Sequence, residues 1–99
     1  MELQLRMYEV HPGRMDDWLQ EWTESVYPLR LEFGFDLVGA WVIEETDTFV
    51  WILGWKGNGD LDDADRRYYE WPERAAVTPN PARHLLKTEH FPIRPVLPQ

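Results

Sequence analysis

Hydrophobic and polar residues alternate at the start of the chain, over residues 2–10, and this period of two predicts a β-strand. One side of the strand carries Leu3, Leu5 and Met7, and the other carries Gln4, Arg6 and Tyr8. We expect the aliphatic side to pack beneath the helices of the domain, because burial of apolar side chains is favourable. That orientation places Arg6 and Tyr8 on the opposite side of the sheet, facing an interior cavity.

A longer apolar ribbon runs from Phe35 to Trp55 and predicts a hairpin of two strands, residues 35–44 and 48–55. A turn centred on residues 46 and 47 pairs Trp41 with Ile52. In that register both faces of the hairpin are hydrophobic, so neither is a solvent face. Helices cover one such face, and the other needs a second copy of the chain, a ligand, or both.

Helical spacing replaces the alternation in two segments. The first follows Pro12-Gly13, and its apolar stripe consists of Met15, Trp18, Leu19, Trp22, Val26, Leu29 and Phe33. Pro28 lacks a backbone N–H and predicts a kink or break near residues 25–27, and Gly34 is placed to end the helix. The second segment begins at Asp60, a good N-cap, and Pro72 divides it near its end.

The last predicted strand covers residues 82–91, and regularly spaced prolines then predict an extended tail. We therefore assign residues 1–91 to one domain and residues 92–99 to a proline-rich C-terminal tail. The order strand, helix, strand, strand, helix, strand predicts an α+β, ferredoxin-like βαββαβ fold with a four-stranded antiparallel sheet. Its helices cover one sheet face, which predicts that two copies pair through the other face as a homodimer.

Several phrases, in the expected order, resemble the NIPSNAP family of dimeric α/β-barrel proteins. They are YEVHPGRMDDWLQEW near the start, PLRLEFGF closing the first helix, VGAWVIEETDTFVWILGW in the hairpin and DRRYYEWPER in the second helix. The resemblance covers roughly residues 2–90. It implies two ferredoxin-like sheets that face each other around a cavity, as in the similar antibiotic-biosynthesis monooxygenases, and it implies architecture rather than one chemistry.

The composition excludes several classes of protein. The 99 residues include no cysteine, which excludes a disulfide framework, a thiolate zinc site and a cysteine nucleophile. The net charge of −8 argues against a nucleic-acid partner, because phosphate contacts need clustered Lys and Arg. No apolar run approaches the ~20 residues of a membrane span, and no signal-peptide pattern occurs. We therefore expect a soluble, cytoplasmic protein without a membrane partner.

Cofactor and metal sites are also not expected. The chain has no glycine-rich phosphate loop with the further residues of a nucleotide site, and no nucleophile elbow. His84 and His90 are six residues apart on the predicted fourth strand, whereas pairs of metal-binding histidines are usually closer. We expect no metal and no cofactor.

Four residues are the candidates for ligand binding: Arg6, Tyr8, Trp41 and Trp51. A buried Arg can hold a carboxylate or enolate through two parallel hydrogen bonds, and a Tyr hydroxyl can donate to the same oxygen. Trp41 and Trp51 lie on opposite hairpin faces, so one should line the cavity and the other should meet the helices. The structural alternatives are an Arg6 paired with a partner's glutamate, a Tyr8 at the barrel rim, and tryptophans that only pack.

For catalysis the sequence offers only two weak candidates, His11 and Tyr8, and identifies no catalytic residue. His11 ends the first strand, where it could act as a general base at the cavity mouth or cap the adjacent turn. Three functions stay open: a barrel that binds a small organic molecule, a cofactor-independent monooxygenase or isomerase, and a purely structural dimerisation module. A cavity beside Arg6 favours the first two, and a filled interior favours the third.

Overall fold

A computed structural model describes residues 1–98 and contains one antiparallel sheet. Its strands are β1 (Glu2–Val10), β2 (Asp36–Ile43), β3 (Thr48–Trp55) and β4 (Leu85–Ile93), in the spatial order β2-β3-β1-β4. With helical connections after β1 and after β3, this is the predicted ferredoxin-like α+β fold. None of the helices in residues 1–98 is long and apolar enough to cross a membrane.

The helical connections are interrupted where prolines predict it. α1 (Met15–Glu21) and α2 (Tyr27–Phe33) flank a π-helical turn, Trp22–Val26, which lies just before Pro28. Pro72 begins a short helix, α4 (Pro72–Ala75), directly after α3 (Leu61–Glu70). The N-cap of α3 is formed as predicted, since the Asp60 side chain accepts a 2.7 Å hydrogen bond from the Asp63 N–H.

An aromatic core lies between the sheet and the helices. Its main ring-bearing members are Tyr8, Trp18, Trp22, Phe35, Phe49, Trp51, Trp55 and Tyr68. Several rings meet edge to face, as aromatic pairs prefer; Trp22 and Trp51, for example, have centroids 5.6 Å apart at 89°. Because all of β3's core residues alternate along one side of the strand, that side of the sheet is the helix-covered one.

The predicted orientation of β1 is wrong. Arg6 lies opposite Trp51 of β3 and Tyr8 lies opposite Phe49, so these polar residues share the helix-covered face and are buried there. The aliphatic side of β1, with Leu5, lies on the outer face. The polar side chains are stable beneath the helices because a carboxylate from α3 pairs with Arg6.

The hairpin register differs from the prediction by two residues. Trp41 pairs with Val50 rather than with Ile52. The connection is longer than the predicted turn, because a 3-10 turn (Glu44–Thr46) precedes Asp47, which adopts a left-handed conformation with φ 49°. An even shift keeps the side chains of residues 39–43 on their predicted faces, so Trp41 and Trp51 lie on opposite faces as predicted. A bulge between Leu37 and Gly39 turns Leu37 toward the helix-covered face instead.

The last strand begins later and ends later than predicted. Residues Pro81–His84 form a 3-10 helix, so His84 does not share the strand with His90. Pro92 was assigned to the tail but lies within β4. Proline is compatible with this position because β4 is an edge strand of the sheet.

Candidate functional site

A cavity of about 630 Å³ lies between the sheet and the helices of a single chain. β1 and β3 contribute Arg6, Tyr8 and Trp51 to its wall. The helices and the loop before β4 contribute, among others, Trp18, Arg30, Asp65, Tyr69, Arg74 and Asn80. The cavity beside Arg6 therefore lies on the helix side of the sheet. The orientation of β1 that the sequence predicted would have placed it on the opposite side.

Asp65 of α3 holds two guanidinium groups at this cavity. Its Oδ1 lies 2.6 Å from Nη1 of Arg30 and 3.0 Å from Nη2 of Arg6. Arg6 also donates from Nε to Gln4 Oε1 at 2.9 Å and from Nη1 to the Tyr8 hydroxyl at 3.2 Å. Arg6 is thus paired with an aspartate of its own chain, and each of its three nitrogens has a partner.

Aromatic rings surround this ion network. The Tyr8 ring meets Trp18 and Trp51 edge to face, with centroids 5.9 and 5.8 Å apart. The guanidinium carbon of Arg30 stands 3.9 Å from the centroid of the Tyr68 ring, a cation–π contact that helps to offset its burial. The site combines flat apolar walls with a few charged groups, as small-molecule sites commonly do.

The buried environment changes the proton affinity of Tyr8 and Arg6. Burial raises the pKa of the Tyr8 hydroxyl above its ordinary value of 10, and the adjacent Arg6 opposes this only in part. Burial acts to lower the pKa of Arg6, but the interactions with Tyr8 and Asp65 outweigh it and raise that pKa. Both groups therefore hold their protons at neutral pH, and both are hydrogen-bond donors.

The NIPSNAP family model matches residues 2–96. The chain belongs to the NIPSNAP family. A similar structure is that of a NIPSNAP domain protein from Burkholderia xenovorans, with a TM-score of 0.85 and 17% identity over 100% of both chains. Another is that of a NIPSNAP family protein from Agrobacterium tumefaciens, with a TM-score of 0.81 and 18% identity over 95% of this chain and 91% of that one.

The same fold occurs outside the NIPSNAP family. An antibiotic biosynthesis monooxygenase has a TM-score of 0.66 and 16% identity, over 98% of this chain and 100% of its own. At this identity the likeness concerns the fold alone. No curated protein sequence matches the chain.

In this NIPSNAP chain, three of the four predicted ligand-binding residues come together. Arg6, Tyr8 and Trp51 line the same cavity, and the guanidinium carbon of Arg6 is 5.7 Å from the Trp51 ring. Trp41 lies on the outer face, where 53% of it is exposed, and contributes nothing to this cavity. Binding by the three that converge stays a prediction.

His11, the other weak catalytic candidate, does not line the cavity. It borders a separate surface groove together with Arg83, His84 and Glu21. In residues 1–98, no three His, Cys, Asp or Glu side chains are grouped so that they could hold a metal ion.

Among the polar residues of the site that the sequence interpretation missed are Arg30, Asp65, Tyr69 and Arg74. Arg30 could have been found, since it lies four residues after Val26 on the same helical stripe. Tyr69 is half exposed, yet its hydroxyl accepts a 3.2 Å hydrogen bond from Arg30 Nη2. Arg74 follows Pro72, where the helical phase restarts, so spacing from α3 does not predict its burial.

Proposed function

We propose that this NIPSNAP protein binds a small organic molecule in the cavity between its sheet and its helices. The observation that carries the proposal is the cavity of about 630 Å³ with Arg6 and Tyr8 buried in its wall. Its volume falls within the ~300–1,000 Å³ that ligand sites occupy. A purely structural module needs no such space, and its core would be better stabilised by close packing.

A second candidate is a cofactor-independent monooxygenase or isomerase reaction, and Tyr8 favours it. The Tyr8 hydroxyl accepts from Arg6, while its own hydrogen has no acceptor in the part of the chain that the structure describes. Because its pKa is raised, the hydroxyl stays protonated and can donate to an oxyanion that forms on a substrate. The fold shared with an antibiotic biosynthesis monooxygenase is compatible with this reaction.

The proposal includes a homodimer formed through the outer face of the sheet. Trp41, Ile43 and Phe91 are between 42% and 53% exposed on this face. Large apolar groups clustered on a surface are typical of interfaces, and a second copy of the chain offers a matching apolar face. A cytoplasmic location, with which the absence of cysteine agrees, belongs to the same proposal.

The test is a thermal-shift screen with one-, two- and three-ring aromatic carboxylic acids, their amides and the corresponding phenols. We expect some members to raise the melting temperature, because a ligand that binds only the folded chain stabilises it. Isothermal titration calorimetry then measures their affinity for a variant, Thr88→Trp. Thr88 is an exposed residue of the cavity wall, so the larger side chain should obstruct entry and weaken binding at least about tenfold.

The matched control is Thr23→Trp, which adds the same side chain at an exposed position that does not line the cavity. Absence of any binding member, or equal binding to both variants, contradicts the proposal. The second candidate is tested with the same protein by aerobic incubation with hydroquinone and anthrone. Product that forms with the natural chain and is lost in Tyr8→Phe favours the reaction over simple binding.

A further inference from the structure

Arg74 is a buried cation without a carboxylate partner. It is 8% exposed, and no Asp or Glu of residues 1–98 lies within salt-bridge distance of it. Its strongest polar contact is a long one, 3.4 Å from Nη2 to Asn80 Oδ1, and that oxygen already accepts a 3.0 Å hydrogen bond from the Ala82 N–H. A buried charge in this state is costly to the folded chain.

Two aromatic rings hold the Arg74 guanidinium group in place without neutralising its charge. Its guanidinium carbon lies 5.1 Å from the Tyr69 ring centroid and 5.9 Å from that of Tyr68. Burial raises the pKa of the nearby Tyr68 hydroxyl and Arg74 opposes this rise, but the hydroxyl makes no hydrogen bond of standard geometry among residues 1–98. The planar end of Arg74 is therefore positioned in the cavity wall with free donors.

The other two arginines of the cavity differ from Arg74 in this respect. Arg6 and Arg30 share the carboxylate of Asp65, which is the only acidic residue in the cavity wall within residues 1–98. Three guanidinium groups therefore face one carboxylate, which leaves two excess positive charges: one in the group of Arg6, Arg30 and Asp65, and one on Arg74. This local excess occurs in a chain whose net charge is −8.

The fully buried side-chain polar atoms of the cavity wall that have no partner in residues 1–98 are all donors. In the described part of the chain, the buried nitrogens without partners that belong to cavity residues are Trp18 Nε1, Trp51 Nε1, Arg30 Nε and Arg74 Nε. These four nitrogens are closed off from the cavity space, so the donor that can meet a ligand is Nη1 of Arg74, which has no hydrogen-bond partner in residues 1–98. An ionised carboxylate only accepts hydrogen bonds and therefore suits this donor. The excess positive charge of the cavity wall and its free hydrogen-bond donor therefore both indicate an anionic ligand group such as a carboxylate.

We propose that the ligand of this cavity is an organic monoanion whose carboxylate pairs with Arg74, while its apolar ring or chain packs against Tyr8 and Trp18. The inference rests on the proposed function and deepens it, since it moves the anion-binding role from Arg6 to a residue that the sequence did not single out. Arg6 and Arg30 instead hold Asp65 and shape the wall. The planar fork of an arginine suits a carboxylate better than the point charge of a lysine does.

The experiment compares 2-naphthoate with 2-naphthamide, which share a shape and differ in charge, by calorimetry on the natural chain and on Arg74→Met. We expect the natural chain to bind the carboxylate at least about tenfold more tightly than the amide. Arg74→Met should lose most of this preference and keep its affinity for the amide. Arg74→Lys should recover part of the preference, because it restores the charge without the fork.

Arg66→Met is the matched control, since Arg66 is an exposed arginine of α3 that pairs with Asp63 and Glu70. It should leave the preference unchanged. A melting temperature for Arg74→Met at or above that of the natural chain, together with the lost preference, supports a ligand-binding role and not a structural one. An Arg74→Met chain that unfolds at a clearly lower temperature contradicts it.

The possible failures are distinguishable. Equal affinity for carboxylate and amide, or an unchanged preference in Arg74→Met, overturns the anion inference and leaves the proposed function standing. If neither compound binds, and no acid, amide or phenol of the one- to three-ring panel binds either, both proposals are overturned. If only phenols bind, the anion inference is overturned and the proposed function stands.

Discussion

Asp65 is the residue on which the polar interior depends. Among residues 1–98 its carboxylate is the one acidic partner of both Arg6 and Arg30, at 3.0 and 2.6 Å, and both arginines are almost fully buried. Pairing makes a buried charge tolerable, and removal of one partner leaves the other uncompensated. The burial of β1's polar side is therefore conditional on a side chain of α3.

We predict that Asp65→Asn lowers the free energy of unfolding by about 2–3 kcal/mol, because two buried guanidinium groups lose their counter-charge. Equilibrium urea denaturation followed by tryptophan fluorescence measures the change. Glu32→Gln removes a charge from an exposed carboxylate of α2 and should change stability by less than about 0.5 kcal/mol. Equal stabilities of the Asp65 and Glu32 variants contradict the assigned role.

A second charge cluster joins two elements of the domain. Arg83 donates to both carboxylate oxygens of Glu21, at 2.7 and 2.8 Å, and His84 Nε2 lies 2.6 Å from one of them. These contacts tie the end of α1 to the 3-10 helix that precedes β4. Hydrogen bonds from Arg83 in the first place, and from His84, hold the pKa of Glu21 below its ordinary value of 4.5.

This connection should make the stability of the fold fall as the pH is lowered into the acid range. A carboxylate whose pKa is lower in the folded chain stabilises the fold above its unfolded pKa, and this is lost as the pH falls through the folded pKa. We predict that Glu21→Gln melts a few degrees below the natural chain at pH 7, and that the difference closes below pH 4.5. Thermal melts by circular dichroism at pH 7, 5, 4 and 3 measure it. The difference for Glu32→Gln should stay small throughout, and a pH-independent difference for Glu21→Gln contradicts the assignment.

The sequence predictions are accurate for features that neighbouring residues determine, and less accurate for features that depend on residues far along the chain. The cap at Asp60, the helix end at Gly34 and the interruptions before Pro28 and at Pro72 depend on residues within one helical turn, and each is confirmed. At Gly34 the φ of 120° is one that glycine readily adopts.

Longer-range determinants could not be predicted in the same way. The side of β1 that faces the helices depends on an aspartate far along the chain, so its alternation was assigned to the wrong faces. The cavity residues Arg6, Tyr8 and Trp51 were still identified, because their chemistry is visible in the sequence. Arg74 was not, since its burial follows from how α4 packs and from no local pattern.

For the whole molecule, the orientation of β1 changes what the sheet presents to the outside. With the polar side chains of β1 turned toward the helices, its aliphatic residues join the apolar outer side of the hairpin. The apolar residues on the outer face include Leu5, Met7, Trp41, Ile43, Val50, Ile52 and Phe91. The outer face is thus more apolar than the predicted orientation allowed, which strengthens the proposed homodimer.

We predict that the natural chain is a dimer at micromolar concentration and that Trp41→Lys raises its dissociation constant at least about tenfold, since loss of a large aromatic residue from an interface commonly has an effect of this size. Size-exclusion chromatography with light scattering, over a dilution series, measures the change. Leu31→Lys is the control, because Leu31 is 44% exposed but lies on α2, on the helix side of the sheet. It should leave the dimer intact, and circular dichroism should show both variants folded. A natural chain that is monomeric at these concentrations, or two variants that dissociate equally, contradicts the assignment of the outer face as the interface.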